Sequence, residues 1–573
     1  MSTIQNIAAV LPQMAAERGD AVAMRCPGSR GLGGLARYDQ TLTYAELERR
    51  SNAIGAGLAM IGLQRGMRAA LMVRPTPEFF LLMFALFKRG IVPVLVDPGI
   101  PRAALKRCLA ESDPHAFIGI PLAHAARKLL RWAPDAAIRV TVGRRWFWGG
   151  AKLSELEARG EGAGPQLADT DGDELAAILF TSGSTGLPKG VEYRHRHFIA
   201  QIKMLGDAFG IRAGGVDMPT FPPFALFDPA LGLASIIPDM DPTRPAQAKP
   251  RRLLDAITRF GVDQLFGSPA LIRVLADHGA PLPSLRRVTS AGAPVPADVV
   301  ARIRALLPDD AQFWTPYGAT ECLPVAVIEG RELEATRELT EHGAGTCVGQ
   351  PVAPNLVRII GISDDAIAHW RDDLELEQGR LGEITVTGPS CTDAYFRRPE
   401  ATVLAKICEA LPDGGERIVH RMGDLGWFDE AGRLWFCGRK SQRVLTALGG
   451  LYTEQVEPVF NVHPQVRRTA LVGVGERGSQ TPVLCVELLP DIAPDQHARI
   501  LAELEHIGQG FVHTGRITSF LVHPAFPVDI RHNAKIGREL LAAWATKQLA
   551  RRPANPRGIG SGDDAGLPPG LGA

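Results

Sequence analysis

Short apolar runs separated by stretches of helical period dominate the first two thirds of the chain, and this alternation limits its folds more than any other feature. Ala69 to Val73, Val92 to Val96, Ala116 to Ile120, Leu175 to Phe180, Gln264 to Phe266 and Arg287 to Thr289 read as buried strands. Ahead of the first, Thr43 to Leu63 has helical periodicity and opens on a Thr-x-x-Glu capping box at Thr43 and Glu46, and between the first two Pro77 to Lys88 reads as a second helix. Strands separated by helices predict parallel sheets covered by helices on both faces. After about residue 380 the pattern changes to short strands at 383–387, 426–428 and 433–437, with Asp429-Glu430-Ala431-Gly432 as a hairpin turn. A smaller α+β region follows from Val444, and the Pro- and Gly-rich end from Arg551 reads as a disordered tail.

A chain of 573 residues can bury a large core. Its 63 Lys and Arg against 62 Asp and Glu leave no excess cation for nucleic-acid binding. The longest strongly apolar run, Phe79 to Phe87, has nine residues, whereas a membrane-spanning helix needs about 20. The N-terminus has no basic region ahead of an apolar core, so it does not read as a secretory signal, and the chain reads as cytoplasmic. Eight cysteines never fall at CxxC spacing and often have apolar neighbours, the pattern of reduced packing residues. Between Arg516 and Arg557 there are eight Lys or Arg and two acids; a solvated helix face and a phosphate-facing surface account for that equally well.

The most specific local string is Thr181-Ser182-Gly183-Ser184-Thr185-Gly186-Leu187-Pro188-Lys189-Gly190, directly after a buried strand. Glycines that admit a ligand to the backbone, hydroxyl donors and one cation make a phosphate-gripping loop. It is not a Walker A loop, because Gly190 stands where Ser or Thr would follow the lysine.

This string resembles the signature of the adenylate-forming superfamily, which holds acyl-CoA synthetases, adenylation domains and luciferases. Further segments agree in family order from about residue 40 to 545. They are Val191 to Phe198, which resembles the family's post-loop helix, Gly292-Ala293-Pro294, Tyr317-Gly318-Ala319-Thr320-Glu321, Val348-Gly349-Gln350-Pro351, Tyr395 to Thr402, Gly423-Asp424-Leu425-Gly426, Gly438-Arg439-Lys440 and Asn533-Ala534-Lys535-Ile536-Gly537-Arg538. His195 and His197 sit in the first of these and do not read as metal ligands.

The resemblance implies an α/β fold. A large N-terminal domain (1–438) would combine parallel-rich sheets flanked by helices with a distorted β-barrel. A hinge (439–443, at Ser441) would join it to a small mobile α+β lid (444–550), followed by the tail 551–573. It implies an ATP site made by Thr181, Ser182, Gly183, Ser184, Thr185, Gly186, Lys189, Gly292, Ala293, Pro294, Tyr317, Gly318, Asp424 and Arg439. Asp424 would hold the ribose hydroxyls, Thr320 an α-phosphate oxygen and Glu321 a Mg²⁺ ion. Lys535 would bridge carboxylate and α-phosphate during acyl-adenylate formation, a donor whose loss costs about 10²–10³-fold. Three positions depart from the family pattern: Ala534 before the lysine, Ser441 at the hinge, and Ala225 where a gate residue is usual.

The run Phe221-Pro222-Pro223-Phe224-Ala225-Leu226-Phe227-Asp228-Pro229-Ala230-Leu231-Gly232 is similar to one subgroup, the β-lactone synthetases of olefin biosynthesis. That resemblance implies ATP-dependent closure of a long-chain 2-alkyl-3-hydroxy acid without coenzyme A, an acyl pocket lined by Phe221, Phe224, Ala225, Phe227 and Leu231, and assembly with other olefin-pathway enzymes. A long-chain fatty acyl-CoA ligase is the alternative, sharing the first half-reaction. An adenylation module loading a separate carrier protein and an inactive nucleotide-binding regulator are more distant ones.

Overall fold

The computed structural model describes residues 5–97, 99–181, 188–528 and 536–551, with the side chains of Leu32 and Thr181 set aside. A seven-stranded sheet runs in the order 151–152, 138–141, 116–119, 68–72, 92–96, 175–181, 189–194. All its neighbours are parallel except the last pair, where Leu175–Thr181 meets Lys189–Arg194 antiparallel. The strand Lys189–Arg194 corrects one expectation: the segment from Val191 does not continue as helix, and the helix starts at His195. Val191 and Tyr193 are buried on the strand, so pairing and burial win over local helical pattern.

Both expected helices form. Thr43 caps Tyr44–Met60, with its hydroxyl accepting from the Glu46 amide while the Glu46 carboxylate accepts from the Thr43 amide. Pro77–Lys88 starts with proline at its first position and is buried at every position but Glu78. An all-round apolar helix must lie inside, and this one is the centre of the largest core cluster. Of its two charges, Glu78 lies half-buried in the first turn, while Lys88 is fully buried but satisfied: Nζ meets Glu48 Oε2 at 2.6 Å, Ser51 Oγ at 2.8 Å and Asn52 Oδ1 at 2.8 Å. A buried cation is tolerable only with such partners.

A second sheet begins at the edge strand 40–43, antiparallel to 22–26, and continues through parallel strands 22–26, 234–236, 216–219, 264–267, 287–290 and 312–319. It then turns antiparallel through 322–329, 346–351, 434–439, 416–428, 382–387 and 356–360. These antiparallel strands occupy the place of the expected barrel and continue the same ladder. From Val444 on there is a two-stranded ribbon and a three-stranded sheet (466–474, 481–488, 519–522) packed by helices 453–461, 497–509 and 538–551. Seven of the eight cysteines are buried and Cys408 is half-buried.

Candidate functional site

Sequence-distant loops at the carboxyl ends of the parallel strands meet the antiparallel half of the second sheet around a single cavity of about 2190 Å³. Ligands of open α/β sheets bind at such strand ends. Lys189, Gly292, Ala293, Pro294, Tyr317, Gly318, Thr320, Glu321, Asp424, Arg439 and Ser441 all line it. So do Phe221, Phe224, Phe227 and Leu231. Ala225 does not. It is fully buried in the main core cluster beside them, because the short 3₁₀ turn Pro222–Leu226 directs it inward. Thr181 ends its strand, whereas Ser182, Gly183, Ser184, Thr185, Gly186 and Lys535 lie outside the described residues.

Asp424 and Arg439 are direct cross-strand partners in the antiparallel pair 416–428 and 434–439. Arg439 Nη1 lies 2.9 Å from Asp424 Oδ1, and the Tyr317 hydroxyl donates to Asp424 Oδ2 at 2.7 Å. Asp424 is 2% exposed. Burial raises its carboxyl above the ordinary value against the pull of Arg439 and Tyr317, and the same pairing raises Arg439. The ion pair lacks hydrogen-bond alignment at Oδ1, which remains an acceptor with unmet capacity among the described residues.

Thr320 and Glu321 are the two central residues of a tight hairpin, since Ala319 and Cys322 pair across it. The close turn requires a glycine before it: a Cβ on Gly318 would sit 2.9 Å from the Cys322 carbonyl oxygen. The hairpin tip is held from three sides. Tyr193 donates to the Thr320 carbonyl, the Thr392 amide to the Glu321 carbonyl at 2.8 Å, and the Tyr395 hydroxyl to Glu321 Oε1 at 2.6 Å. Lys189 Nζ stands 4.8 Å from the centre of the Tyr395 ring. Tyr395 is therefore a site residue whose role does not show in its string, Tyr395 to Thr402, because its partner Glu321 lies 74 positions away. Glu321 supplies a hard anionic oxygen, oriented by the Tyr395 hydroxyl, and such a carboxylate fits Mg²⁺ beside phosphates.

His195 and His197 are buried in the helix start, where their Nδ1 atoms accept from the Ile7 amide at 3.3 Å and the Arg194 amide at 3.0 Å. Burial lowers their values to about 4 and about 3, so both are neutral rings serving as caps. Among the described residues no group of three or more His, Cys, Asp or Glu is arranged to hold a metal ion.

The apolar part of the cavity is built on aromatic contacts. Phe224 meets Phe266 edge-on at 4.6 Å and Phe221 edge-on at 5.1 Å. Ser290, at the carboxyl end of its strand just before Gly292, lines the cavity with a buried hydroxyl that has no hydrogen-bond partner among the described residues. Gly292 itself has φ +98°, a conformation that glycine adopts without strain.

Around Ser441 the chain is stitched down on both sides. Lys440 Nζ meets buried Glu383 at 2.9 Å and the Ser363 carbonyl at 2.7 Å, and Arg443 meets Asp364 at 2.7 Å. Arg538 Nε donates to Gln442 Oε1 at 3.2 Å and Nη2 to Glu457 Oε2 at 2.9 Å. On the same helix as Glu457, Glu454 accepts from Thr346 Oγ1 at 2.8 Å through Oε2. Burial, and then neighbouring Glu457, raise Glu454 to about 7.

A family model described as "AMP-binding enzyme" matches residues 11–396. Olefin beta-lactone synthetase from Xanthomonas campestris is 68% identical over 548 residues, covering 96% of this chain and 99% of that protein. The protein of the same name from Stenotrophomonas maltophilia shows the same identity and coverage. Among solved structures, ATP-bound MatB from Rhodopseudomonas palustris superposes with a TM-score of 0.75 at 21% identity, covering 95% of this chain and 100% of that one. At that identity the superposition shows a shared fold.

Proposed function

The chain belongs to the AMP-binding enzyme family, and on that premise we propose that it is an olefin β-lactone synthetase. It activates a long-chain 2-alkyl-3-hydroxy acid with ATP and closes it to the β-lactone, in the biosynthesis of olefin hydrocarbons. The observation that carries this reading is the continuity of one cavity from the Asp424–Arg439 pair to the aromatic wall at Phe221–Leu231, together with 68% identity to proteins of that name over nearly the whole chain.

In the first step the substrate carboxylate oxygen attacks the α-phosphorus of ATP. A new P–O bond forms, the bond to the β-phosphate oxygen breaks, and pyrophosphate leaves. Asp424 receives the ribose hydroxyls on its partly unsatisfied oxygen, Tyr317 and Gly292-Ala293-Pro294 face the adenine, and Thr320 donates to an α-phosphate oxygen. Lys189 and the loop Thr181–Gly186 hold the outer phosphates, and Lys535 bridges the carboxylate and α-phosphate oxygens as negative charge gathers between them. Glu321, its orientation fixed by Tyr395, is the residue for Mg²⁺, which when bound neutralises phosphate charge.

In the second step the substrate's 3-hydroxyl attacks the acyl carbonyl. The C–O bond of the ring forms, the acyl–phosphate bond breaks, AMP leaves and the hydroxyl proton passes to solvent. The nucleophile is already covalently tethered, and effective molarities of well-placed internal nucleophiles reach about 10⁵–10⁸ M, which helps offset ring strain. Ser290 is the residue whose free hydroxyl can hold the substrate 3-hydroxyl in place. Residues 1–438 act as the body and 444–550 as a lid turning about Ser441; Lys440 stays on the body through Glu383 and Ser363, and turning the lid breaks the Arg443–Asp364 pair. Assembly with other enzymes of the olefin pathway belongs to the same reading.

The test is mass spectrometry of a reaction containing ATP, Mg²⁺ and a long-chain 2-alkyl-3-hydroxy acid, with coenzyme A absent. The expected product is lighter than the acid by one water and accompanies AMP. Accumulation of acyl-adenylate alone, with a thioester formed once coenzyme A is added, would replace the proposal with an acyl-CoA ligase.

A further inference from the structure

The cavity has a second feature that the chemistry above does not use. It runs beyond the reaction site along the face of the seven-stranded sheet and reaches solvent beside the helix Pro121–Leu130. Leu122, Ala125, Ala126 and Leu129 line this outer end, spaced as one face of that helix. Leu122 is 69% exposed and Leu129 83% exposed, so the lining continues onto the surface. Next to it the loop 143–150, Gly-Arg-Arg-Trp-Phe-Trp-Gly-Gly, turns Trp146 and Phe147 outward at 54% and 70% exposure. The loop is not loose. Trp148 is buried, stacks on His124 of the helix at 5.3 Å and donates from Nε1 to Thr141 Oγ1 at 2.9 Å. Lys128 Nζ stands 4.7 Å from the Phe147 ring, joining loop and helix into one patch.

Charge is concentrated here as well. Although the whole chain is almost neutral, the segment from Arg102 to Lys152 carries ten Lys or Arg against three acids. Lys128, Arg131 and Arg144 are exposed around the aromatic residues, and Arg102 lines the facing side of the opening. Apolar residues alone would suit several partners. Outward Trp and Phe ringed by Lys and Arg, on a rigid base, match the interface of a bilayer with anionic headgroups. Among the described residues no helix is long and apolar enough to cross a membrane, so contact of this kind is peripheral.

We infer that the helix Pro121–Leu130 and the loop 143–150 form a docking patch for an anionic lipid surface, and that the two-armed acid enters the cavity from the bilayer through the opening between that helix and Arg102–Ser112. The inference rests on the proposed activity for the identity of the lipid that passes, while docking itself can be measured without turnover. A fatty acid with two long chains partitions into membrane, and an opening seated on the membrane spares it passage through water.

The experiment is flotation of the full-length chain with phosphatidylglycerol–phosphatidylethanolamine vesicles and with pure phosphatidylcholine vesicles, without ATP or acid. The chain is expected to float with the anionic vesicles and to be released as salt rises. Lys128→Ser with Arg144→Ser should weaken binding by about fivefold per charge, roughly 25-fold together. Trp146→Ser with Phe147→Ser should abolish flotation. Both pairs are expected to keep the unfolding midpoint and the rate of pyrophosphate release with a water-soluble short-chain 3-hydroxy acid, and to lose turnover of long-chain acid supplied in vesicles. Absence of flotation by the unaltered chain, or equal binding to both vesicle types, overturns the inference. So does a concentration-dependent dimer in sedimentation that Trp146→Ser with Phe147→Ser dissolves, which would give the patch to a second copy. Flotation without lactone formation would instead refute the activity and leave the docking patch standing.

Discussion

Replacing Asp424 with Asn tests the nucleotide end of the cavity most directly. The substitution keeps the shape of the side chain and an acceptor for the Tyr317 hydroxyl, now 2.7 Å from Oδ2, but removes the negative charge. Hydrogen bonds to charged groups contribute about 1.5–3 kcal/mol, so losing a charged acceptor for the ribose hydroxyls should raise the KM for ATP by roughly 10- to 150-fold. The ribose does not change during adenylation, so the lost interaction is equal in ground and transition states and kcat should hold within a few-fold. Stability should not fall. Burial raises the Asp424 carboxyl, which means its ionised form is disfavoured in the folded chain, and a neutral amide removes that cost. Arg439, about one third exposed, can rehydrate when its partner is neutralised. The assay is pyrophosphate release against ATP concentration, with thermal unfolding alongside. An unchanged KM, or a fall in kcat at constant KM with unfolding unaltered, would refute the ribose assignment.

Lys535→Ala should lower acyl-adenylate formation by about 10²–10³-fold while the Kd for ATP, measured by calorimetry, changes little; unaltered turnover would remove Lys535 from the chemistry. Glu321→Gln should raise the Mg²⁺ concentration needed for half-maximal rate at least tenfold, and Tyr395→Phe, which frees the carboxylate that Tyr395 now holds, should shift it by less; equal requirements in all three proteins would place the metal elsewhere. Glu454, raised to about 7 by burial, is protonated in the folded chain under acidic conditions. A carboxyl raised in this way contributes stability fully below its unfolded value and loses it as pH climbs through its folded one. Relative to Glu454→Gln, the unaltered chain should therefore lose melting temperature between about pH 4.5 and 7, and parallel melting curves across that window would refute the shift.

Much of the parallel sheet was legible in the sequence because its strands are buried on both faces and read as unbroken apolar runs. The expected strand at 92–96 and the helix at 77–88 match the structure end to end. The capping box at Thr43 was legible for the same local reason: its partners lie three residues apart. The strand at Lys189–Arg194 was not, since only its antiparallel neighbour at 175–181 makes that short segment extended. Ala225 shows the limit within a motif: its place in the string was readable, while the turn that sends it into the core and leaves Phe224 on the cavity wall was not.

The sequence by itself determined the chemistry on offer, because Lys189, Glu321, Asp424 and Arg439 stand in strings whose residue types and order suit nucleotide binding. Tertiary structure alone decided what those residues meet. Tyr395 reaches Glu321 across 74 positions and Tyr317 reaches Asp424 across 107. Thr346 reaches Glu454 across 108. It also decided that the cavity opens beside Trp146 and Phe147, distant in sequence from every motif. Local patterns encode hydrogen bonds and burial within a few residues of one another, whereas these contacts exist only once the sheets have packed and excluded water between them.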